Sequence, residues 1–235
     1  MMRRALVASA LFAIVAVTAF VQQATPPAGA AGSSGFVAAG DHVTCAVSDE
    51  GAATCWGSDG SGRLGDGMQC GFPCRVPFPV VGLDSGVAEI ALGAFHGCAR
   101  TDTGAVLCWG RNLNGQVGDG TTIERDTPQP VQGLQNAIAI ELGSYHACAI
   151  RVTTGLSCWG RNDHGQRGDG TRVQQPAPTD VPGLSGVIGI ALGENQTCAL
   201  TDDGAVWCWG DNFYGQYGDG TDTDSNDPLL ITAFS

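Results

Sequence analysis

Apolar and polar positions alternate with a period of two in short runs from Phe36 onward, and glycine-rich polar segments separate the runs. Phe36–Ala39, Val87–Leu92, Ala137–Leu142 and Val187–Leu192 each read as a strand, with Ile138, Ile140 and Leu142 marking one face. After each run come two cysteines ten positions apart, holding an apolar stretch, a polar turn and a second apolar stretch. The turns Asp102-Thr103-Gly104 and Asp202-Asp203-Gly204 suit a three-residue hairpin loop ending in a left-handed glycine. Folding there sets Cys98 opposite Cys108 and Arg100 opposite Val106. The same sum sets Ile150 opposite Leu156, Leu200 opposite Val206 and Val47 opposite Ala53. Three of those four flanking pairs are wholly apolar, as one packed face of a hairpin requires. A fourth run holds prolines, as in Pro77-Phe78-Pro79-Val80 and Pro128-Gln129-Pro130-Val131, which fit an edge strand or a loop.

These elements recur as a block. The triplet Cys-Trp-Gly begins at Cys55, Cys108, Cys158 and Cys208, in steps of 53, 50 and 50 residues. A period near fifty marks repeated supersecondary units that cannot bury their apolar faces alone. Four short strands per unit without helical periodicity give an all-β, β-propeller-like array of four four-stranded blades. The repeats span about 36–83, 87–134, 137–184 and 187–235 of a repeat domain covering 36–235.

Facing cysteines on neighbouring strands come within disulfide reach, so Cys45 with Cys55, Cys98 with Cys108, Cys148 with Cys158 and Cys198 with Cys208 are expected to bond, one pair per blade. Each such staple contributes roughly 2–3 kcal/mol. Buried free thiols are the plain alternative, and a zinc site lacks the close pair of cysteines that structural zinc favours. Cys70 and Cys74 lie outside the repeat phase, and a fifth, local disulfide is the simplest assignment for them.

The first thirty residues read as a cleaved signal peptide: Arg3 and Arg4, an uncharged apolar run from Ala5 to Val21, then Ala28-Gly29-Ala30 as a cleavage candidate. An uncleaved membrane anchor is the alternative reading. Export agrees with paired cysteines, which persist in oxidising compartments, so the expected location is secreted, cell surface or periplasmic. Beyond residue 30 there are nine arginines, no lysine and 23 acidic residues, a formal charge of −14. That charge opposes nucleic acid and, once the signal is removed, anionic membrane as partners.

The pattern I-x-L-G-x-x-H-x-C-A, then G-x-V-x-C-W-G-x-N-x-x-G-Q-x-G-D-G, resembles the repeat of the regulator of chromosome condensation family. Trp109–Gly120, Trp159–Gly170 and Trp209–Gly220 match its second half fully, while Trp56–Gly67 lacks the Asn and the Gln. The resemblance implies a β-propeller, usually of seven blades, and cysteine-bearing versions resemble exported bacterial members. Four repeats leave the ends of the array to be explained. The strand-like segment from Asp227 to Phe234 pairing with the first blade, a head-to-head homodimer completing a larger ring, and a truncated gene product are the three solutions.

Catalytic signatures are wanting: no G-x-S-x-G, H-E-x-x-H or phosphate-binding loop occurs, and no catalytic residue or cofactor is expected. His96 and His146 share one repeat phase, where Val43 and Gln196 stand in the other copies, and read as scaffold satisfying turn backbone. Asp66, Asp119, Asp169 and Asp219 also recur, as carboxylates capping turn amides. Asp222, Asp224 and Asn226 form a weak calcium candidate without the glycine and glutamate of a complete loop. The positions that vary between copies after Trp-Gly are Arg111, Leu113, Arg161, His164, Arg167, Phe213, Tyr214 and Tyr217, with Val117 at the same phase as Arg167. Arginine and aromatic side chains are typical contact anchors, so these are the candidate partner-binding residues on one rim. The leading expectation is an exported, non-catalytic scaffold binding a protein or cell-envelope component through rim loops. The alternative is a secreted propeller hydrolase or lyase. The resemblance also implies a nucleotide-exchange regulator, as in the family's namesake, which export and the acidic charge oppose.

Overall fold

A computed structural model describes residues 36–152 and 155–232, and the expected signal peptide lies outside the described residues. Sixteen strands form four antiparallel sheets. The first sheet holds β1 (Phe36–Ala39), β2 (Val43–Val47), β3 (Ala53–Gly57) and β4 (Cys74–Pro79). The second holds β5 (Val87–Leu92), β6 (His96–Thr101), β7 (Val106–Gly110) and β8 (Arg125–Pro130). The third holds β9 (Ala137–Leu142), β10 (His146–Arg151), β11 (Gly155–Gly160) and β12 (Gln175–Asp180). The fourth holds β13 (Val187–Leu192), β14 (Gln196–Thr201), β15 (Val206–Gly210) and β16 (Ser225–Leu230). Strands neighbour in chain order within each sheet, the arrangement of a propeller blade.

The hairpin register follows the cysteines. Cys98 pairs with Cys108, Arg100 with Val106, Ile150 with Leu156, Leu200 with Val206 and Val47 with Ala53. All four facing pairs are disulfides with Cα atoms 4.1 Å apart, and Cys70 bonds Cys74. The proline-bearing fourth strands lie at the outer edge, where β8 pairs with β7 only in part and the register breaks between Cys108 and Gly110. An edge position removes the need for the amide that proline lacks.

Blades stack so that the apolar face left by one is covered by the next. Cys98, Val106, Cys108, Val117 and Val131 of the second blade pack with Ala137, Ile140, Ala149 and Trp159 of the third. The buried tryptophans fasten each joint. Trp109, Trp159 and Trp209 donate their indole N–H groups to the carbonyls of Arg63, Gln116 and Gln166, each at 2.9 Å and each in the preceding blade.

Among the described residues the array is an open arc. The inner strands pack in sequence, β1 on β5, β5 on β9 and β9 on β13. The expectation that the chain's end pairs with the first blade is corrected, since β16 hydrogen-bonds to β15 and completes the fourth blade instead. The outer-strand position of its own repeat is the nearer partner. Val37 on the first blade is 74% exposed and Leu200 on the fourth is 40% exposed, so both end faces stand uncovered.

A candidate binding rim

The loops after Trp-Gly are held by the repeated motif itself. Asn112, Asn162 and Asn212 each accept from the amide five residues on, at 2.9 Å, with the side-chain oxygen. Their side-chain N–H groups donate across the loop to the carbonyls of Thr121, Thr171 and Thr221. Gln116, Gln166 and Gln216 accept from the amides of Asn114, His164 and Tyr214. Asp119, Asp169 and Asp219 cap the amides of Thr121, Thr171 and Thr221, and Asp66 caps those of Met68 and Cys70. Burial works to raise the Asp119 carboxyl, but bonds from Thr121 and Arg125 hold it below the usual range.

The hydrogen-bonded loops and their neighbours present a row of side chains along one rim of the arc. Phe95 and Tyr145 stack with ring centroids 5.0 Å apart. The guanidinium groups of Arg63 and Arg111 lie 5.5 and 5.3 Å from the Phe95 centroid, and that of Arg161 lies 5.3 Å from Tyr145. Such a cation over a ring face is attracted by the ring quadrupole. Arg161 also donates to Asn195 and to Asp163. Burial pushes the Asp163 carboxyl up, and the bond and charge of Arg161, with the backbone amide of Asp163 itself and His164, together hold it low. The corresponding loop of the fourth blade carries Phe213 and Tyr214, which are 71% and 84% exposed and meet edge to face at 4.9 Å. Leu113, at the phase of Phe213, is exposed on the second blade.

The structure divides the expected contact residues. Arg111, Leu113, Arg161, Phe213 and Tyr214 are at the surface or half-buried on this rim. Arg167 and Tyr217 are turned inward and are corrected to loop interior, together with Val117 at their phase. They occupy the position whose amide the repeated asparagine fixes, one step after the glutamine, and the fold faces that position into the blade. Arg167 pairs with Asp169 at 2.8 Å and bonds Thr179, while the Tyr217 hydroxyl donates to the Gly210 carbonyl at 2.6 Å. Burial raises the Tyr217 phenol to about 12. His164 comes against Asp224 at 3.5 Å with Asp211 close by, and Arg172 shares the same carboxylate at 3.6 Å. Of the calcium candidates, Asp222 is exposed, Asp224 takes the Asn212 amide, and the Asn226 oxygen accepts from Arg172.

Sequence reasoning missed Phe95, Tyr145 and Arg63. The two rings sit in the short loops before β6 and β10, outside the variable segment, and only the stacking brings them to the arginines. The two histidines are scaffold as expected, but not through turn amides. His96 and His146 are buried against Gly93 and Gly143, where a Cβ on either glycine would lie 2.8 or 2.4 Å from the imidazole. They fill space below the inner loops and cap no turn amide. His146 Nε2 meets Thr197 Oγ1 at 2.9 Å, and that hydroxyl donates to the Gln166 carbonyl at 2.8 Å. The hydroxyl's proton being spent, Nε2 carries its own hydrogen and donates it. Burial takes both imidazoles down to about 3.

A disulfide-stapled arc of propeller blades with a rigid loop rim is the class these features define. The family model for the regulator of chromosome condensation (RCC1) repeat matches residues 103–150, 157–200 and 203–235, more than half of the chain, and a second model of that repeat matches 87–116, 137–166 and 187–216. The chain belongs to the regulator of chromosome condensation repeat family. It is 38% identical over 97 residues to the E3 ubiquitin-protein ligase HERC2 of Homo sapiens, covering 41% of this chain and 2% of that protein. It is 33% identical over 101 residues to the ultraviolet-B receptor UVR8 of Arabidopsis thaliana, covering 42% of this chain and 22% of that one. Yeast RCC1 (Prp20), solved bound to Kap60, superposes with a TM-score of 0.73 at 22% identity over 84% of this chain and 48% of its own. The chain thus spans about half of that propeller and a small part of the curated relatives.

Proposed function

We propose that this chain is an exported, non-catalytic scaffold that binds a protein or cell-envelope partner through the rim of arginine and aromatic side chains. The observation that carries the reading is the stacked row Arg63, Phe95, Arg111, Tyr145 and Arg161, with the exposed pair Phe213 and Tyr214 on the corresponding loop of the fourth blade. Rings and guanidinium groups already fixed by stacking lose little side-chain freedom when a partner docks. Three cations held together on a chain of net charge −12 favour a partner surface that offers carboxylates or polar oxygens. Five disulfides support an oxidising compartment. A nucleotide-exchange role gains nothing from a structural likeness at 22% identity, which carries shape alone.

Affinity capture from the organism's own envelope and medium tests the reading, with the wild-type chain beside the double variant Phe213→Ala/Tyr214→Ala. A stoichiometric protein recovered by the wild type and lost with the variant is the expected result. Turnover of a saccharide or peptide by the purified chain, with no partner recovered, would overturn it.

A further inference from the structure

The joint between blades is built three times, and each time from the same parts. An indole N–H from the later blade bonds the carbonyl at the phase of Arg63, Gln116 and Gln166. The indole lies against the glycine two residues on. A Cβ at Gly65, Gly118 or Gly168 would stand 3.0, 2.7 or 2.6 Å from Trp109, Trp159 or Trp209. Beside it, the amides of Gly67, Gly120 and Gly170 donate to carbonyls in the next blade's outer strand, those of Asp126, Pro176 and Asn226.

The fourth blade presents the first half of this joint with nothing in it. A Cβ at Gly218 would meet no atom within 4 Å, and the same holds at Gly220. Gln216 is only half-buried where Gln116 and Gln166 are fully buried. Leu200 is 40% exposed at the phase where Ile150 is 3% exposed. The first blade presents the second half. Trp56 is half-buried, unlike the other three tryptophans of its phase, and its indole N–H has no acceptor among the described residues. Val37, at the phase of Ile90 and Ile140, is 74% exposed, and Arg75, at the phase of the accepting carbonyls, is exposed.

We infer that the fourth blade of one copy receives the first blade of a second copy, with Trp56 seated over Gly218 and bonded to the Gln216 carbonyl. Socket and plug are both carried by this chain and match part for part, so a second copy offers a fitting partner to each, and the contact continues an interface the chain already makes three times. The contact is head to tail. A head-to-head arrangement would oppose two plugs and leave the sockets empty. Because each copy carries both halves, the head-to-tail contact either closes two copies with two-fold symmetry or continues as an open series.

Light scattering after gel filtration of the full-length chain at about ten to a hundred micromolar reads the outcome, a concentration range that detects the micromolar affinity expected of standard interfaces. Wild type is expected at twice the 24.0 kDa of one chain, or as a series of larger species if the rotation does not close. Val37→Glu and Leu200→Glu, both at exposed positions that leave the fold intact, are each expected to shift the population to single chains. Mixing the two variants restores pairing, since one wild-type socket then meets one wild-type plug. Circular dichroism melts of the variants check that each is folded. Single chains throughout the range for wild type would overturn the inference, as would a dimer that both variants leave unchanged. Wild-type single chains that instead take up a different protein on the Leu200 face would overturn it equally.

Discussion

The third and fourth blades share a sequence phase nearly residue for residue and differ in what lies behind them. Ile150 and Leu156 are 3% and 0% exposed, whereas Leu200 is 40% exposed and Val206 half-buried. Gly168 lies hard against Trp209, and Gly218 faces open space. The hairpins, disulfides and loop bonds of the two blades are otherwise alike. In this chain the core therefore belongs to the joint between blades, and the blade alone is a stapled sheet with one uncovered face.

The sharpest way to break that comparison is through the tryptophans. Trp159→Ala removes a fully buried indole that bridges two blades, and the expected cost is about 3–5 kcal/mol. Trp56→Ala, at the uncovered first face, should cost under about 1 kcal/mol in chemical unfolding at sub-micromolar concentration, where copies stay apart. Equal costs would mean that the tryptophan phase stabilises the blade and not the joint. Ile150→Ala against Leu200→Ala repeats the contrast at smaller scale, about 2–4 kcal/mol against under about 1 kcal/mol. Urea midpoints at constant slope measure both.

Most of the fold was legible because its signals are local. Two cysteines ten apart around a glycine turn fix a hairpin register, and the fifty-residue period counts the blades. The inner strands fall where the alternation of Val87–Leu92 and its copies puts them. The rim was legible only in part. Variability between copies marks a loop position but carries no information on which way it points, so it groups Arg167 and Tyr217 with Phe213 and Tyr214 although the asparagine lock turns them inward. Phe95 and Tyr145 were invisible because their meaning arises from a 5.0 Å stack between blades, a contact across fifty residues. Closure was illegible for the same reason: strand propensity at Ser225–Leu230 specifies a strand, and only packing chooses its neighbour.

The disulfides grade the comparison chemically. Cys148 and Cys158 are fully buried, Cys198 is half-buried on the uncovered face, and Cys70 sits half-buried in a loop. Under mild reductant with an alkylating agent, labelling is expected first at Cys70 and Cys74, then at Cys198 and Cys208, and last in the second and third blades, because attack requires access to a sulfur. Replacing Cys148 and Cys158 together by alanine should cost about 3 kcal/mol and replacing Cys70 and Cys74 about 2 kcal/mol, from the lengths of the loops they close. Peptide mass mapping of the labelled chain reads the order, and early labelling of Cys148 would contradict the packing described above.

Acid separates the blades most finely, because the third carries His146 where the fourth carries Gln196. Burial lowers His96 and His146 from 6.5 to about 3, so between those values the unfolded chain takes up protons that the folded chain refuses. Stability is then whole above about pH 6.5 and falls as pH drops towards 3, by on the order of 2 kcal/mol per imidazole at pH 5. The carboxylates held low by their loop bonds, such as Asp119 and Asp169, lose their contribution only further down, around and below their ordinary value of 3.8. His146→Gln places in the third blade the side chain that already packs against Gly193 in the fourth. The variant should lose about half of the stability difference between pH 7 and pH 5, and His96→Gln/His146→Gln nearly all of it. Urea unfolding at the two pH values measures this. A double variant as acid-sensitive as the wild type in that window would show that the imidazoles are solvated or charged in the folded chain, and that the inner ends of the covered joints are wetter than their packing implies.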